Sequence, residues 1–202
     1  MKKPKQNGFT LYELMITLLI VGIVLSFGVP NLAEFMANSR ITSTSNDLYA
    51  AFHLARSESA RAKANITICA SANPLAADSI CDGSWDQGYI VFVDTNGDLA
   101  RSGGDETVLR AHGPIAEGVT LAVANDATFF SYASSGLGRG NVGGETAISQ
   151  AIVCDQRGTA ETSKDLSAAR LLFVTPLGRA TVVRDLEMVQ NAMDSMAGKS
   201  CP

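Results

Sequence analysis

Positions 9–29 read "FTLYELMITLLIVGIVLSFGV", an apolar run in which no charged residue occurs between Leu14 and Val29. As a helix its 21 residues cover about 31 Å, enough to cross a hydrocarbon core. After Pro30 the pattern turns amphipathic. Ile41, Leu48, Phe52, Ala55, Ser59 and Ala62 recur at helical spacing, and Arg40, Asp47, Arg56, Glu58, Arg61 and Lys63 mostly fall off that stripe. One helix is predicted from the apolar run to about Ala64, roughly 80 Å long if straight. Pro30 lacks an N–H and crowds the preceding turn, so a kink is expected there. From Ile66 onward the pattern is that of strands. "ITICAS", "GYIVFVD", "VTLAVA", "TFFSYAS", "AISQAIVCD" and "ARLLFVTPLGRATVVRD" are apolar or alternating runs divided by Gly, Asn, Asp and Pro. The last is predicted to fold as a hairpin turning at "TPLGR". "LEMVQNAMDSMAG", positions 186–198, reads as a short helix.

The expected fold is α+β: a long N-terminal transmembrane and stalk helix packed on an antiparallel β-rich globular head. Four segments are expected: a leader at 1–8, a membrane half of the helix at 9–30, an amphipathic stalk at 31–64 and a head at 65–202. Apolar content of 46% and charged content of 18% exclude a disordered chain. Net charge is −4, and without Lys2, Lys3 and Lys5 the remainder stands at −7. A polyanion-binding surface is therefore not the default, although a local basic patch remains open. The lysines precede the apolar run, so that flank is expected in the cytoplasm and the head outside it.

Cys69, Cys81, Cys154 and Cys201 show no metal-ligand spacing with one another or with His53 and His112. An even count in an exported domain reads as two disulfides. Four cysteines allow three pairings and the sequence does not choose among them; the expectation is Cys69–Cys81 with Cys154–Cys201.

Glu13 is the anomaly. A carboxylate at mid-bilayer costs about 2.5–3.5 kcal/mol, less near the interface. No Lys or Arg follows it within the run. A cleaved signal peptide and a plain signal anchor both leave it unexplained, and no small-x-small cleavage site follows the run.

The stretch "GFTLYELMITLLIVGIVLSFGVP" resembles the class III signal and N-terminal helix of type IV pilins and type II secretion pseudopilins. The resemblance implies peptidase cleavage between Gly8 and Phe9 and N-methylation of Phe9. It implies that Glu13, the fifth residue of the mature chain, meets the new amine of a neighbouring subunit during assembly. Two groups costly alone become less costly together. Glu13 has a local alternative partner in its own Phe9 amine. Tyr12 stands where the family more often has Ile or Val. "LARSESARAKANITIC", "GYIVFVDTNGD", "SSGLGRG" and "ARLLFVTPLGRATV" are similar to the GspH/FimT branch of minor pilins and pseudopilins. That branch implies a filament subunit that primes or caps the fibre. Its implied partners are other pilins through the helix, a prepilin peptidase, the bacterial inner membrane and an assembly platform there, with the head in the periplasm. Whether the machine is a type IV pilus or a type II secretion system stays open.

Some relatives in that branch take up DNA through a Gly-Arg-x-Arg motif. Here the matching stretch is Gly178-Arg179-Ala180-Thr181, without the second arginine. Arg139, Arg179 and Arg184 are the candidate phosphate contacts for this alternative. From Ala151 to Pro202 six basic residues balance six acidic ones. Asp94, Asn96 and Asp98 alternate as in a calcium loop. However, Leu99 occupies the glycine place and Asp105 the twelfth, so a solvated Asn-Gly turn competes with that reading. "GLGRGNVGG" lacks the Gly-Lys-Ser/Thr of a phosphate loop. No cofactor and no catalytic activity are expected: there is no Gly-x-Ser-x-Gly, and His53 on the stalk helix and His112 in a turn before Pro114 read as surface or packing residues.

Overall fold

The computed structural model describes residues 8–101, 106–196 and 198–201. Except for Gly8, the expected leader lies outside the described residues. The chain divides into two compact units, Met1–Ser39 and Arg40–Pro202.

Helix α1, Leu11–Ala62, contributes to both. Its first part, as far as Val29, is apolar apart from Glu13, Thr17 and Ser26, with its Leu, Ile and Val side chains exposed. The part from Arg40 onward buries Ile41, Thr44, Ser45, Leu48, Ala51, Phe52, Ala55 and Ser59. The expected stripe is there, widened by Thr44, Ser45 and Ala51. Ala62 is a correction: it is exposed. The helix stops two residues before Ala64 because Lys63 adopts φ 55°, a left-handed conformation that ends a helical ladder.

The chain then reverses into β1 (Ile66–Ala70). It continues through β2 (Tyr89–Val93), β3 (Val108–His112), β4 (Val119–Val123) and β5 (Phe129–Tyr132). Next come β6 (Gln150–Asp155), β7 (Glu161–Ser163), β8 (Leu166–Val174), β9 (Ala180–Asp185) and helix α2 (Leu186–Ser195). All pairings between these strands are antiparallel. The first sheet has the order β3-β2-β1-β5; the second runs β4-β6-β8, with β7 and β9 both pairing with β8. The runs read from sequence became β1, β2, β4, β5, β6 and the β8–β9 hairpin. Two strands had no reading: β3, an edge strand whose Arg110 and His112 break the apolar pattern, and the three-residue β7.

Leu48, Phe52 and Ala55 pack against Ile66, Ile68, Phe130 and Leu172, so the stalk closes on both sheets. Phe52 is fully buried, with its ring centroid 5.5 Å from that of Phe130. On the opposite face of the second sheet, Val189 and Ala192 of α2 cover Ile152, Cys154, Ala169 and Leu171. β6 therefore has protein on both faces, which explains why "AIVC" reads as a continuous apolar run. Asp185 caps α2 by accepting from the Met188 N–H at 2.9 Å.

Cys69 is bonded to Cys81 and Cys154 to Cys201. The first bond fixes the long β1–β2 connection to β1, and the second fastens the chain beyond α2 to β6. At the β8–β9 turn, Gly178 has φ +81°, and a Cβ there would lie 2.3 Å from Tyr132 Cε1. Only glycine fits that approach, and Tyr132 Oη donates to the Gly178 carbonyl at 2.8 Å.

Candidate functional site

The N-terminus of α1 has a geometry that follows from four residues. Thr10 sits at the N-cap, where the first helical N–H groups lack intrahelical partners. Its backbone N–H donates to Glu13 Oε2 at 2.9 Å and its Oγ1–H to the same oxygen at 2.8 Å. The Glu13 N–H lies 3.2 Å from Thr10 Oγ1. This is a capping box, Thr-x-x-Glu. The signature is present in the sequence as Thr10-x-x-Glu13, ahead of the apolar run. Glu13 thus has a local task within its own chain: its side chain holds the helix start closed immediately after the Gly8–Phe9 junction.

Around this acid the surface is apolar. Phe9 is 85% exposed, and Leu11, Tyr12, Met15, Leu18, Leu19, Ile23, Val24, Phe27, Leu32 and Phe35 are all more than half exposed. A contiguous apolar surface of this extent marks a buried environment in use. The helix is long and apolar enough to cross a membrane. Its polar side chains are folded inward: Thr17 Oγ1 donates to the Leu14 carbonyl and Ser26 Oγ to that of Ile23, both at 2.8 Å. Helix continues through Pro30, with Asn31 Nδ2 donating to the Phe27 carbonyl at 2.7 Å one turn earlier.

The candidate residues of the head go to separate places. Arg139 is bound into the β2–β3 loop: Nη2 donates to the Gly97 carbonyl at 3.0 Å, and Nη1 lies 3.5 Å from the buried Asp94 carboxylate. Arg184 reaches the Ser167 carbonyl and Thr162 Oγ1 at 2.9 and 2.7 Å. Arg179 is exposed at the β8–β9 turn. There it borders a cleft of about 340 Å³ lined by Tyr49, His53 and Arg56 of α1 and by Tyr132. The three arginines therefore hold three different sets of neighbours.

In the calcium-like loop, Asn96 Nδ2 donates to Asp98 Oδ2 at 2.8 Å. Glu106, which the sequence reading did not include, joins the two aspartates: ligand oxygens of Asp94, Asp98 and Glu106 lie within 4.8 Å of one another. Asp94 already accepts from Thr67 Oγ1 and the Gly97 N–H, each at 2.8 Å, and Glu106 Oε1 from the Thr95 N–H at 3.1 Å. These contacts and Arg139 fix the loop as a turn.

His112 ends β3 and is not in the turn before Pro114, a correction to the sequence reading. Its ring stacks on Tyr89 with centroids 4.9 Å apart. Asp47 of α1 lies 3.4 Å from Arg110 and 3.6 Å from His112, joining the stalk to the edge of the first sheet.

A capped apolar helix continued into a two-sheet disulfide-bonded head is the architecture of a pilin. The profile of the type II transport protein GspH matches residues 44–178, and that of the prokaryotic N-terminal methylation motif matches residues 3–29. The chain belongs to the GspH family, within the type IV pilin and pseudopilin superfamily, whose members are structural subunits. It is 39% identical over 49 residues to the type IV major pilin protein PilA of Myxococcus xanthus, a match covering 24% of this chain and 22% of that protein. The chain thus matches about a fifth of that relative's length. Two crystal structures of the Pseudomonas aeruginosa type IV minor pilin FimU are similar at 18% identity. One covers 74% of this chain and 92% of FimU at a TM-score of 0.46, the other 70% and 91% at 0.45.

Proposed function

We propose that this chain is a minor pilin or minor pseudopilin that enters a membrane-anchored filament and primes or caps it. Cleavage falls between Gly8 and Phe9, the new Phe9 amine is methylated, and residues 9–30 cross the bacterial inner membrane once. The head, 65–202, stands in the periplasm, where an oxidising compartment suits its two disulfides. Other pilins, a prepilin peptidase and an inner-membrane assembly platform are its partners. The observation that carries this reading is the exposed apolar helix with one acid at its capped start. A neighbouring helix covers the apolar surface, and the neighbour's amine answers the acid. Pro30 serves as the point where the helix bends in the packed fibre.

The test is the intact mass of the protein isolated from cells that contain a prepilin peptidase. Loss of the first eight residues and gain of one methyl group are expected. A product that keeps the octapeptide overturns the proposal. The DNA-uptake alternative draws less support, since Arg139 is bound to Gly97 and Asp94 and the three candidate arginines have three separate sets of neighbours, not one shared surface.

A further inference from the structure

The second sheet carries an unbalanced group of guanidiniums at one end. Arg157, just after β6, holds Asp155 through Nε at 3.0 Å and Nη2 at 2.8 Å. Arg170 on β8 is paired with Val153 of β6. Leu171 pairs with Val183, which brings Arg170 and Arg184 side by side across the next strand pair. The two share an acceptor: the Ser167 carbonyl receives Arg184 Nε at 2.9 Å and Arg170 Nη1 at 3.3 Å. Like charges across a strand pair repel. Burial pushes the Arg170 guanidinium down to about 10, and the Arg184 and Arg157 charges push it the same way. Among the described residues neither Arg170 nor Arg184 has an ion-pair partner. Two nearby acids have other tasks: Asp185 caps α2, and Glu161 Oε1 accepts from the Asp165 N–H at 3.1 Å. The group is short of negative charge.

Its place in the head narrows what could supply that charge. Val153, the partner of Arg170, packs with Ile41 and Val119, and Val119 is paired with Asp155. Arg40 reaches the Glu117 carbonyl, two residues before Val119, at 3.4 Å. The cluster therefore lies at the end of the head where the stalk helix joins it. Val29, the last residue of the apolar run, precedes Arg40 by 11 residues. Such a segment reaches about 16 Å as helix and at most about 40 Å extended. A membrane surface is within that tether. Guanidinium forks match phosphate oxygens, and basic clusters beside a membrane segment are drawn to anionic lipid.

We propose that Arg157, Arg170 and Arg184 form an oxyanion site whose ligand is the phosphate of an anionic phospholipid headgroup. The assignment rests on the membrane-anchored reading above. The experiment is native mass spectrometry of the full-length chain in detergent with equimolar phosphatidylglycerol and phosphatidylcholine. Wild type should retain phosphatidylglycerol preferentially. Arg170→Gln with Arg184→Gln should lower that affinity roughly 10- to 30-fold, as expected for two basic contacts at an anionic surface. Phosphatidylcholine uptake, which reports the apolar helix, should not change. The Arg170→Lys, Arg184→Lys pair keeps the charge and should keep part of the preference, which separates lost charge from lost fold. Equal retention of the two lipids by wild type, or an unchanged preference in the glutamine pair, overturns the site. Uptake of neither lipid overturns the membrane reading beneath it. Inorganic phosphate that binds this end without any lipid preference, or a short DNA duplex that binds it more tightly than phosphatidylglycerol, overturns the choice of ligand.

Discussion

Replacing Glu13 by glutamine separates two tasks that the carboxylate performs together. In the capping box Oε2 accepts from the Thr10 N–H at 2.9 Å and from its hydroxyl at 2.8 Å. A glutamine carbonyl offers the same acceptor, so Glu13→Gln should cost only a few tenths of the roughly 1 kcal/mol that a cap is worth. Glu13→Ala removes the side-chain half of the box, while Thr10 Oγ1 still accepts from the N–H of residue 13. Membrane insertion shifts the other way: an ionised acid within a bilayer carries a penalty of up to about 3 kcal/mol, and glutamine carries less. Glu13→Gln should therefore insert at least as well as wild type. If the charge recruits a neighbour's amine, the same variant should still fail to join filaments. The assay compares subunit abundance in the membrane fraction with abundance in sheared or purified filaments. We expect normal membrane levels and a filament signal as low as that of Glu13→Ala. Wild-type incorporation of Glu13→Gln, with Glu13→Ala defective, would refute the pairing and leave the acid as a helix cap alone.

Phe52→Ala, at a fully buried position against Phe130, should lower the stability of the head by about 3–5 kcal/mol in denaturant melts of the full chain; a loss below 1 kcal/mol would contradict the packing described. Gly178→Ala should destabilise and Tyr132→Phe should cost about 1 kcal/mol, since one forces a Cβ onto the ring and the other removes a hydrogen bond. Removing Cys154–Cys201, whose sequence separation is 47, should cost about 4 kcal/mol, more than removing Cys69–Cys81, whose separation is 12; the reverse order in chemical denaturation would overturn the chain-entropy argument. Burial raises the Asp155 carboxyl, but the hydrogen bonds and charge of Arg157 outweigh burial and leave it below its ordinary value. That depression adds stability above the unfolded value of about 3.9, which is lost as pH falls through the folded value. Asp155→Asn should flatten the acid limb of the melting profile, and parallel limbs would count against the pair.

The apolar run and the stalk stripe were legible because a buried helical face leaves a repeat in the sequence. Its end was read two residues late, since a left-handed Lys63 has no signature of the kind glycine gives. The strands covered on both faces showed as apolar runs. β3 did not: it lies at a sheet edge, and its Arg110 and His112 serve Asp47 on the stalk, a contact made across 63 residues. The site was legible in unequal parts. The Gly-Phe junction and Glu13 are local patterns, and so was the overlooked threonine of the capping box. The arginines were misleading in combination, because their neighbours are set by tertiary contacts. Arg139 turned to Asp94, while Arg184 came beside Arg170, a residue in no local motif. Glu106 joined Asp94 for the same reason, from the far side of a loop.

The left-handed turn at Lys63 delivers the chain directly into β1, which lies in the interior of its sheet with β2 on one side and β5 on the other. A tug on the stalk is therefore handed to a strand held along both flanks. For a subunit whose tether is its own helix, load that passes beyond the packed stalk therefore enters the head at an interior strand and not at a free edge.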